Sequence, residues 1–289
     1  MFYDRAIKFI EDVTSGKEVV CSYVRLAVER HVADMKRQGP GAGFWFDEKS
    51  AKVYCEAVQL FKLTAGEYAG KPFDLQPFQA FAIISIFGWK RYGADGKKSK
   101  YRRYTKVYWE TAKKSGKSEI AAVIMWLCAL FDREAAAQLY SAATTRDQAR
   151  HVFRAARTMG KYLRQDSHKL RQMITLGKYQ IYMEETESFI TTLSSDAGTM
   201  DGINTHVGIV DEYHAHDTSH VSDILLNSMV ARTQPLHFTI TTAGFNLHGP
   251  CYRTSRDEAV KVLEGKQVNE SLFAYIFTLD EGDDWEDES

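Results

Sequence analysis

Two short stretches hold residues whose types and spacing suit the chemistry of a nucleoside triphosphate. The first is Thr111-Ala-Lys-Lys-Ser-Gly-Lys-Ser118, in which Gly116-Lys117-Ser118 opens an apolar run of helical pattern. The unpaired N–H groups and positive dipole end of a helix N-terminus stabilise a polyphosphate before any side chain acts. Lys114, Ser115 and Gly116 form the loop around the phosphates, Lys117 reaches the β- and γ-phosphates, and Ser118 holds Mg²⁺. The second stretch, Val207-Gly-Ile-Val-Asp-Glu212, is an apolar strand ending in two acids. Asp211 there can hold Mg²⁺ through water and Glu212 can orient the attacking water. Asp alone would suit a switch or a kinase, whereas the added Glu points to an ATPase that hydrolyses with water. The full loop pattern begins with Gly five residues before Gly116, where this chain has Thr111. That departure leaves a non-hydrolysing nucleotide- or DNA-binding module open.

Other residues fall around this pair. Leu236-His-Phe-Thr-Ile-Thr-Thr-Ala-Gly244 is a β-rich strand ending in hydroxyls, and Thr241 or Thr242 can sense a γ-phosphate or simply form a turn. Gln79, beside Phe78, can both donate to and accept from an adenine edge, or it is an ordinary helix-start glutamine. Arg232 and Arg146 are candidate arginine fingers, acting in cis or from a neighbouring subunit. His214, His216 and His220 follow Glu212, but their spacing and the absence of a Cys or carboxylate set do not make a zinc site.

These residues need a frame that brings them together. From 104 onward, β-branched and aromatic runs at 105–110, 137–142, 189–193, 206–210, 237–241 and 272–278 read as strands. Helical patterns fall between them at 117–131, 146–163, 219–230 and 255–263. That alternation predicts an α/β fold with a mostly parallel sheet covered on both faces. Residues 3–38 and 50–63 read as helices, so 1–70 is expected to be a helical appendage. A P-loop domain over 71–278 and an acidic end over 279–289 complete the division.

The composition is that of an ordinary globular chain: 289 residues, 44% hydrophobic, 26% charged. No apolar run nears the roughly 20 residues that span a bilayer, and the N-terminus lacks a signal-peptide layout, so a cytosolic location without membrane contact is expected. The net charge is −1, but seven of the last ten residues are acidic, which leaves the body at +6. Residues 90–106 collect eight Lys and Arg around two glycines and read as an exposed loop. Arg146, Arg150, Arg154, Arg157, Lys161 and Arg164 recur at helical steps, laying all six on one face. Such a stripe either follows a phosphate backbone or is a solvated face.

The combination resembles one family. Cys21 to His31 with Asp34, Leu75-Gln-Pro-Phe-Gln79 with Phe87-Gly-Trp89, Ala112 to Ser118, Ala143 to Ala149, Asp211-Glu212 with His214, and Arg232-Thr-Gln-Pro235 before Thr241-Thr-Ala-Gly244 are similar to the large terminase subunit of tailed bacteriophages and prophages. P-loops of that family commonly lack the leading Gly and carry a basic residue where Lys113 stands. The resemblance implies a P-loop ATPase of the additional-strand, catalytic-Glu type that drives double-stranded DNA into a procapsid through the portal protein. Its partners would be the small terminase subunit and copies of itself in a ring, in the host cytoplasm. It assigns Gln79 to adenine, Lys113, Lys117 and Ser118 to phosphates and Mg²⁺, Asp211 to Mg²⁺, Glu212 to water, and Thr241 to Gly244 to coupling. Family members continue into a metal-dependent nuclease domain, so no DNA cleavage is expected from this chain. A two-domain helicase is the runner-up, and the 45 residues after Gly244 leave no room for its second sheet domain.

Overall fold

The computed structural model describes residues 1–144, 146–193 and 202–283, with only the backbone of Arg146 and Asp147. Its centre is an eight-stranded sheet of order β11-β4-β10-β9-β5-β8-β7-β6. The strands are β4 (Lys106–Glu110), β5 (Gln138–Ala142), β6 (Ile174–Leu176), β7 (Gln180–Met183), β8 (Ser188–Leu193), β9 (Thr205–Asp211), β10 (Leu236–Thr241) and β11 (Leu272–Ile276). From β11 to β8 all neighbours run parallel, while β7 and β6 add an antiparallel hairpin at one edge. Every residue of β9, β10 and β11 is buried. Successive side chains point to opposite faces, so both faces are covered, and polar members such as His206, His237 and Thr239 are buried along with the apolar ones.

The P-loop strand β4 and the Asp-Glu strand β9 are not neighbours. β10 lies between them, with Ile240 beside Asp211 and Thr241 beside Glu110. This is the additional-strand arrangement expected of the catalytic-Glu class, and it places the Thr-Thr strand end between the phosphate loop and the two carboxylates.

Helix α5 (Lys117–Phe131) follows the loop and is buried from Ile120 to Cys128. Helix α6 (Arg146–Asp166) packs on it, tied by the Trp126 indole N–H donating to the Ala156 carbonyl at 2.8 Å. Residues 3–38 form two helices, α1 (Phe2–Thr14) and α2 (Ser22–Arg37), because the chain turns at Ser15-Gly16. Of the segment 50–63, the residues up to Ala57 lie in α3 (Glu48–Ala57), started by Asp47, whose carboxylate accepts from the Ser50 N–H at 3.2 Å; a 3₁₀ turn, Val58–Leu60, follows, and 61–63 are not helical. α1 and α3 pack on α4 (Pro77–Gly88), and α2 packs along β11, so their apolar residues share one continuous core with the sheet. The short α7 (His168–Met173) leads from α6 into β6. After β9, α8 (His220–Ser228) returns to cover that strand, and beyond β10 a π-helical turn, Cys251–Arg256, leads into α9 (Asp257–Leu263).

Residues 90–106 are not the exposed loop that their charge suggests. β2 (Trp89–Tyr92) and β3 (Lys98–Arg102) form an antiparallel sheet with β1 (Phe44–Phe46). Lys90, Arg102 and Arg103 are buried. The two arginines are neutralised by residues distant in sequence: Arg102 pairs with Asp132 at 2.5 Å, and Arg103 with Asp34 at 2.7 Å and with the Glu270 carboxylate. Among the described residues no helix is long and apolar enough to cross a membrane.

Candidate active site

The parallel strands end at one edge, and there the loop after β4, the Asp211-Glu212 end of β9 and the Thr241-Thr242 end of β10 come together. Glu212 and Thr242 face a cavity of about 660 Å³, whereas Asp211 and Thr241 are buried behind its wall. Lys113, Lys114, Gly116, Lys117 and Ser118 line it together with Glu212, His214 and Thr242. Gly116 caps α5 with φ of 78°, a left-handed conformation that glycine adopts without steric cost. Thr111, by contrast, is not among the positive-φ positions, and its N–H donates to the Thr241 carbonyl at 3.0 Å. A leading glycine is therefore not needed here, and the residue in its place ties the loop to β10.

Lys117 is 8% exposed, and its Nζ lies 2.7 Å from Glu212 Oε1. The other carboxylate oxygen, Oε2, accepts from the Thr242 hydroxyl at 3.3 Å and lies 3.2 Å from His214 Nδ1. Glu212 holds these contacts from a left-handed backbone, φ 51° and ψ 44°. For a residue with a Cβ that conformation costs free energy and persists only where the surroundings fix it. Asp211 is 4% exposed and accepts from the Glu212 N–H at 2.9 Å. Burial, then the neighbouring Glu212 charge, push its carboxyl up to about 6, against the opposing pull of Lys117.

His214 joins the carboxylate to β10. Its Nδ1 is 2.9 Å from Thr241 Oγ1, and its backbone N–H donates to the same hydroxyl at 3.0 Å. That hydroxyl gives its own proton to the Thr242 carbonyl. A carboxylate and a committed hydroxyl can only accept, so the imidazole proton belongs on Nδ1. Burial holds His214 below its ordinary pKa, which keeps the ring neutral. Its spacing after Glu212 speaks against a zinc site but reveals no partner, because Thr241 lies 27 positions away.

Gln79 is elsewhere: its Oε1 accepts from the Gln76 N–H at 3.1 Å in a capping box that starts α4. It does not line the cavity formed by the loop. Arg232 precedes β10, at the opposite end of the strand from Thr241. Its guanidinium donates to the Asn204, Ala135 and Ala136 carbonyls and to Glu134. The side chain of Arg146 lies outside the described residues, but it heads α6, where Gln148 lines the cavity. Arg150, Arg154, Arg157, Lys161 and Arg164 follow on α6, away from Lys117. The sequence reading missed Ala65 and Gln148 as parts of the cavity wall. It also missed Glu119, which accepts from the Thr64 N–H at 3.1 Å and so holds the 64–65 segment against the start of α5.

Comparisons with known proteins bear on family and fold. The chain is 46% identical over 103 residues to protein YmfN of Escherichia coli K12, a match covering 36% of this chain and 22% of YmfN. Its fold is similar to the large terminase of bacteriophage HK97, with a TM-score of 0.63 at 17% identity, over 83% of this chain and 46% of that one. A more distant likeness, TM-score 0.43 at 13% identity, is to the large terminase of a thermophilic bacteriophage solved in complex with ADP, over 61% of this chain and 40% of that one. The chain thus spans less than half the length of each of these relatives. The terminase large subunit ATPase domain matches residues 77–259, well over half of the chain. With its P-loop facing an Asp-Glu strand across β10, the chain belongs to the terminase large subunit family through that ATPase domain.

Proposed function

We propose that this chain hydrolyses ATP with Mg²⁺ and uses the energy to drive double-stranded DNA into a viral procapsid. The observation that carries the reading is the 2.7 Å approach of Lys117 to Glu212 at the mouth of the phosphate loop. It sets the cation that would neutralise charge developing on the γ-phosphoryl group beside the carboxylate that would orient water in line with it. Glu212 and the γ-phosphate compete for one ammonium group, so nucleotide entry frees the carboxylate for water. Lys113, Lys114, Ser115, Gly116 and Ser118 hold the phosphates, and Thr241 and Thr242 carry the change on Glu212 into β10.

The residues fit the phosphates and the metal. Ser115 Oγ is buried with no hydrogen-bond partner, and Asp211 is a buried carboxyl under charge stress that a cation would relieve. Ser118 and Asp211 would hold Mg²⁺, which neutralises the β- and γ-oxygens when bound. Arg146 is the candidate arginine finger, in cis or from a neighbouring copy. The partners of this reading are duplex DNA, the portal protein, the small terminase subunit and further copies in a ring. They meet in the host cytoplasm, with no membrane involved.

Phosphate release from ATP, measured with and without Mg²⁺ and duplex DNA, tests the proposal. The expected result is Mg²⁺-dependent turnover that duplex DNA accelerates and that Glu212→Gln abolishes. A wild-type chain that binds ATP but releases no phosphate under any of these conditions is a binding module, not a motor.

A further inference from the structure

A second cavity, of about 530 Å³, opens between α6 and the turn joining β6 to β7. Arg150, Arg154 and Arg157 line one wall, Lys178 and Tyr179 the other, and among the described residues its lining holds no carboxylate. Arg157 Nε donates to the Gly177 carbonyl at 2.7 Å, which clamps the turn onto the helix and fixes both walls. Lys178 Nζ sits 5.0 Å from the centre of the Tyr179 ring.

Several arginines elsewhere are neutralised within the chain, and three of the cleft cations are not. Arg30, Arg37, Arg102, Arg103, Arg232 and Arg256 each have an Asp or Glu within 4.0 Å. Among the described residues Arg154, Arg157 and Lys178 have none. Like charges gathered around a cleft raise its potential and favour an external anion. Guanidinium forks match phosphate oxygens in geometry as well as charge.

The row is too long for a single phosphate. From Arg150 to Lys161 the helix rises roughly 16 Å, an axial length over which one strand of a B-form duplex presents about four to five phosphates. Helix α6 also connects this surface to the other cavity. Gln148, one half-turn before Arg150, lines the nucleotide cavity, and Ala156 accepts the Trp126 bond from the P-loop helix.

We propose that the cleft between α6 and the β6–β7 turn grips the phosphodiester backbone of duplex DNA, without reading bases, and that α6 links this grip to the nucleotide cavity. The inference rests on the motor reading above and names the surface that reading leaves open.

Fluorescence anisotropy of the full chain with a random-sequence duplex of about 30 base pairs, over a salt series, tests it. Arg154→Glu combined with Lys178→Glu is compared with Lys97→Glu combined with Lys100→Glu, which reverses two exposed cations on the β2–β3 hairpin. The cleft pair is expected to weaken binding at least tenfold. It should also flatten the slope of log affinity against log salt by about 2, since each lost phosphate contact removes about 0.9. The hairpin pair should leave both near wild type. Unfolding midpoints establish that each variant is folded, and Arg154→Ala with Lys178→Ala gives the same readout if the reversals are not. A wild type that binds duplex while the cleft variants bind it equally well overturns the cleft alone, as does an equal loss in the hairpin pair. Tighter binding of a single strand of the same sequence overturns the duplex assignment. A wild type that binds no DNA at all overturns the cleft and the motor reading together.

Discussion

Lys117 and Glu212, 95 residues apart in sequence, meet at 2.7 Å across the end of β10. The pair has a consequence for binding as well as for chemistry. If the carboxylate competes with the γ-phosphate for the ammonium, removing its charge releases Lys117 to the nucleotide. Glu212→Gln is therefore expected to bind ATP at least as tightly as wild type while turnover falls about 100-fold or more, the scale of a lost general base or water-orienting group. Lys117→Ala should weaken both. Titration calorimetry with ATP and a phosphate-release assay separate the two effects, and wild-type turnover in Glu212→Gln would remove Glu212 from the chemistry.

Asp211 carries an electrostatic cost that the proposed metal role would account for. Its carboxyl is pushed up from the usual 3.8 to about 6 by burial and by Glu212. The unfolded chain loses this proton near pH 4 and the folded chain near 6. The contribution of the group to stability is thus full below pH 4 and is lost as pH rises through 6. Asp211→Asn removes that loss and should be more stable than wild type at pH 7, by about 1–3 kcal/mol. The gain should shrink toward pH 4, and Mg²⁺-dependent turnover should be lost. Urea titrations between pH 4 and 7 measure the difference, and a gain that is the same at every pH would show that the charge is not its origin.

Much of this arrangement is legible in the sequence, because six of the strands are apolar, β-branched or aromatic runs largely buried on both faces. The β6–β7 hairpin is not. Its members are short, and the turn Gly177-Lys178-Tyr179 is polar and largely exposed, which reads as a loop. The charges of 90–106 mislead for a related reason: burial of Arg102 and Arg103 depends on Asp132, Asp34 and Glu270, which no local pattern reveals. At the site, Lys117, Asp211 and Glu212 can be found because each stands in a motif. The role of His214 cannot, since it depends on the register that sets β10 beside β9.

The buried cluster around Asp132 holds the far end of the P-loop helix to the sheet. Arg102 Nη1 lies 2.5 Å from its carboxylate, His206 Nε2 2.8 Å, and the Tyr54 hydroxyl donates to it at 2.8 Å. Burial opposes the charge, yet Arg102 and His206 hold the Asp132 carboxyl well below the usual range. Asp132→Ala leaves the Arg102 guanidinium, itself fully buried, without a counter-charge. That should cost about 3–5 kcal/mol, read as a lower urea midpoint with an unchanged slope. A loss under about 1 kcal/mol, the scale of an exposed pair, would mean that water reaches the cluster.

Two buried imidazoles set the acid limit. Burial holds His31 at about 4 and His237 at about 3, well under the usual 6.5. His31 Nδ1 accepts from the Trp89 indole at 3.1 Å, a bond that the protonated ring cannot make. Both groups stay neutral in the folded chain while the unfolded chain protonates them. Stability should therefore hold above pH 6.5 and fall as pH drops toward 4. His237→Gln, which keeps an acceptor for the Ser222 hydroxyl, should flatten that fall. An identical pH profile in the variant would exclude His237 as a source of the acid loss.

Gly244 tests how closely the strand end must hold His214. A Cβ on Gly244 would stand 2.3 Å from His214 Cδ2 and 2.6 Å from its Cβ, distances that side chains do not tolerate. Gly244→Ala must therefore displace the imidazole from Thr241 Oγ1 and Glu212 Oε2, while Lys117 and the phosphate loop keep their places. Displacements of about 1 Å near reacting groups can cost on the order of 100-fold in rate. Gly244→Ala is expected to lower kcat by at least tenfold with little change in ATP affinity. His214→Asn keeps a donor near the position of Nδ1 and should retain more of the rate than His214→Ala. Steady-state kinetics of the three variants with duplex DNA present decide the matter. If ATP affinity falls in Gly244→Ala as much as kcat does, the histidine supports the loop as a whole rather than positioning Glu212.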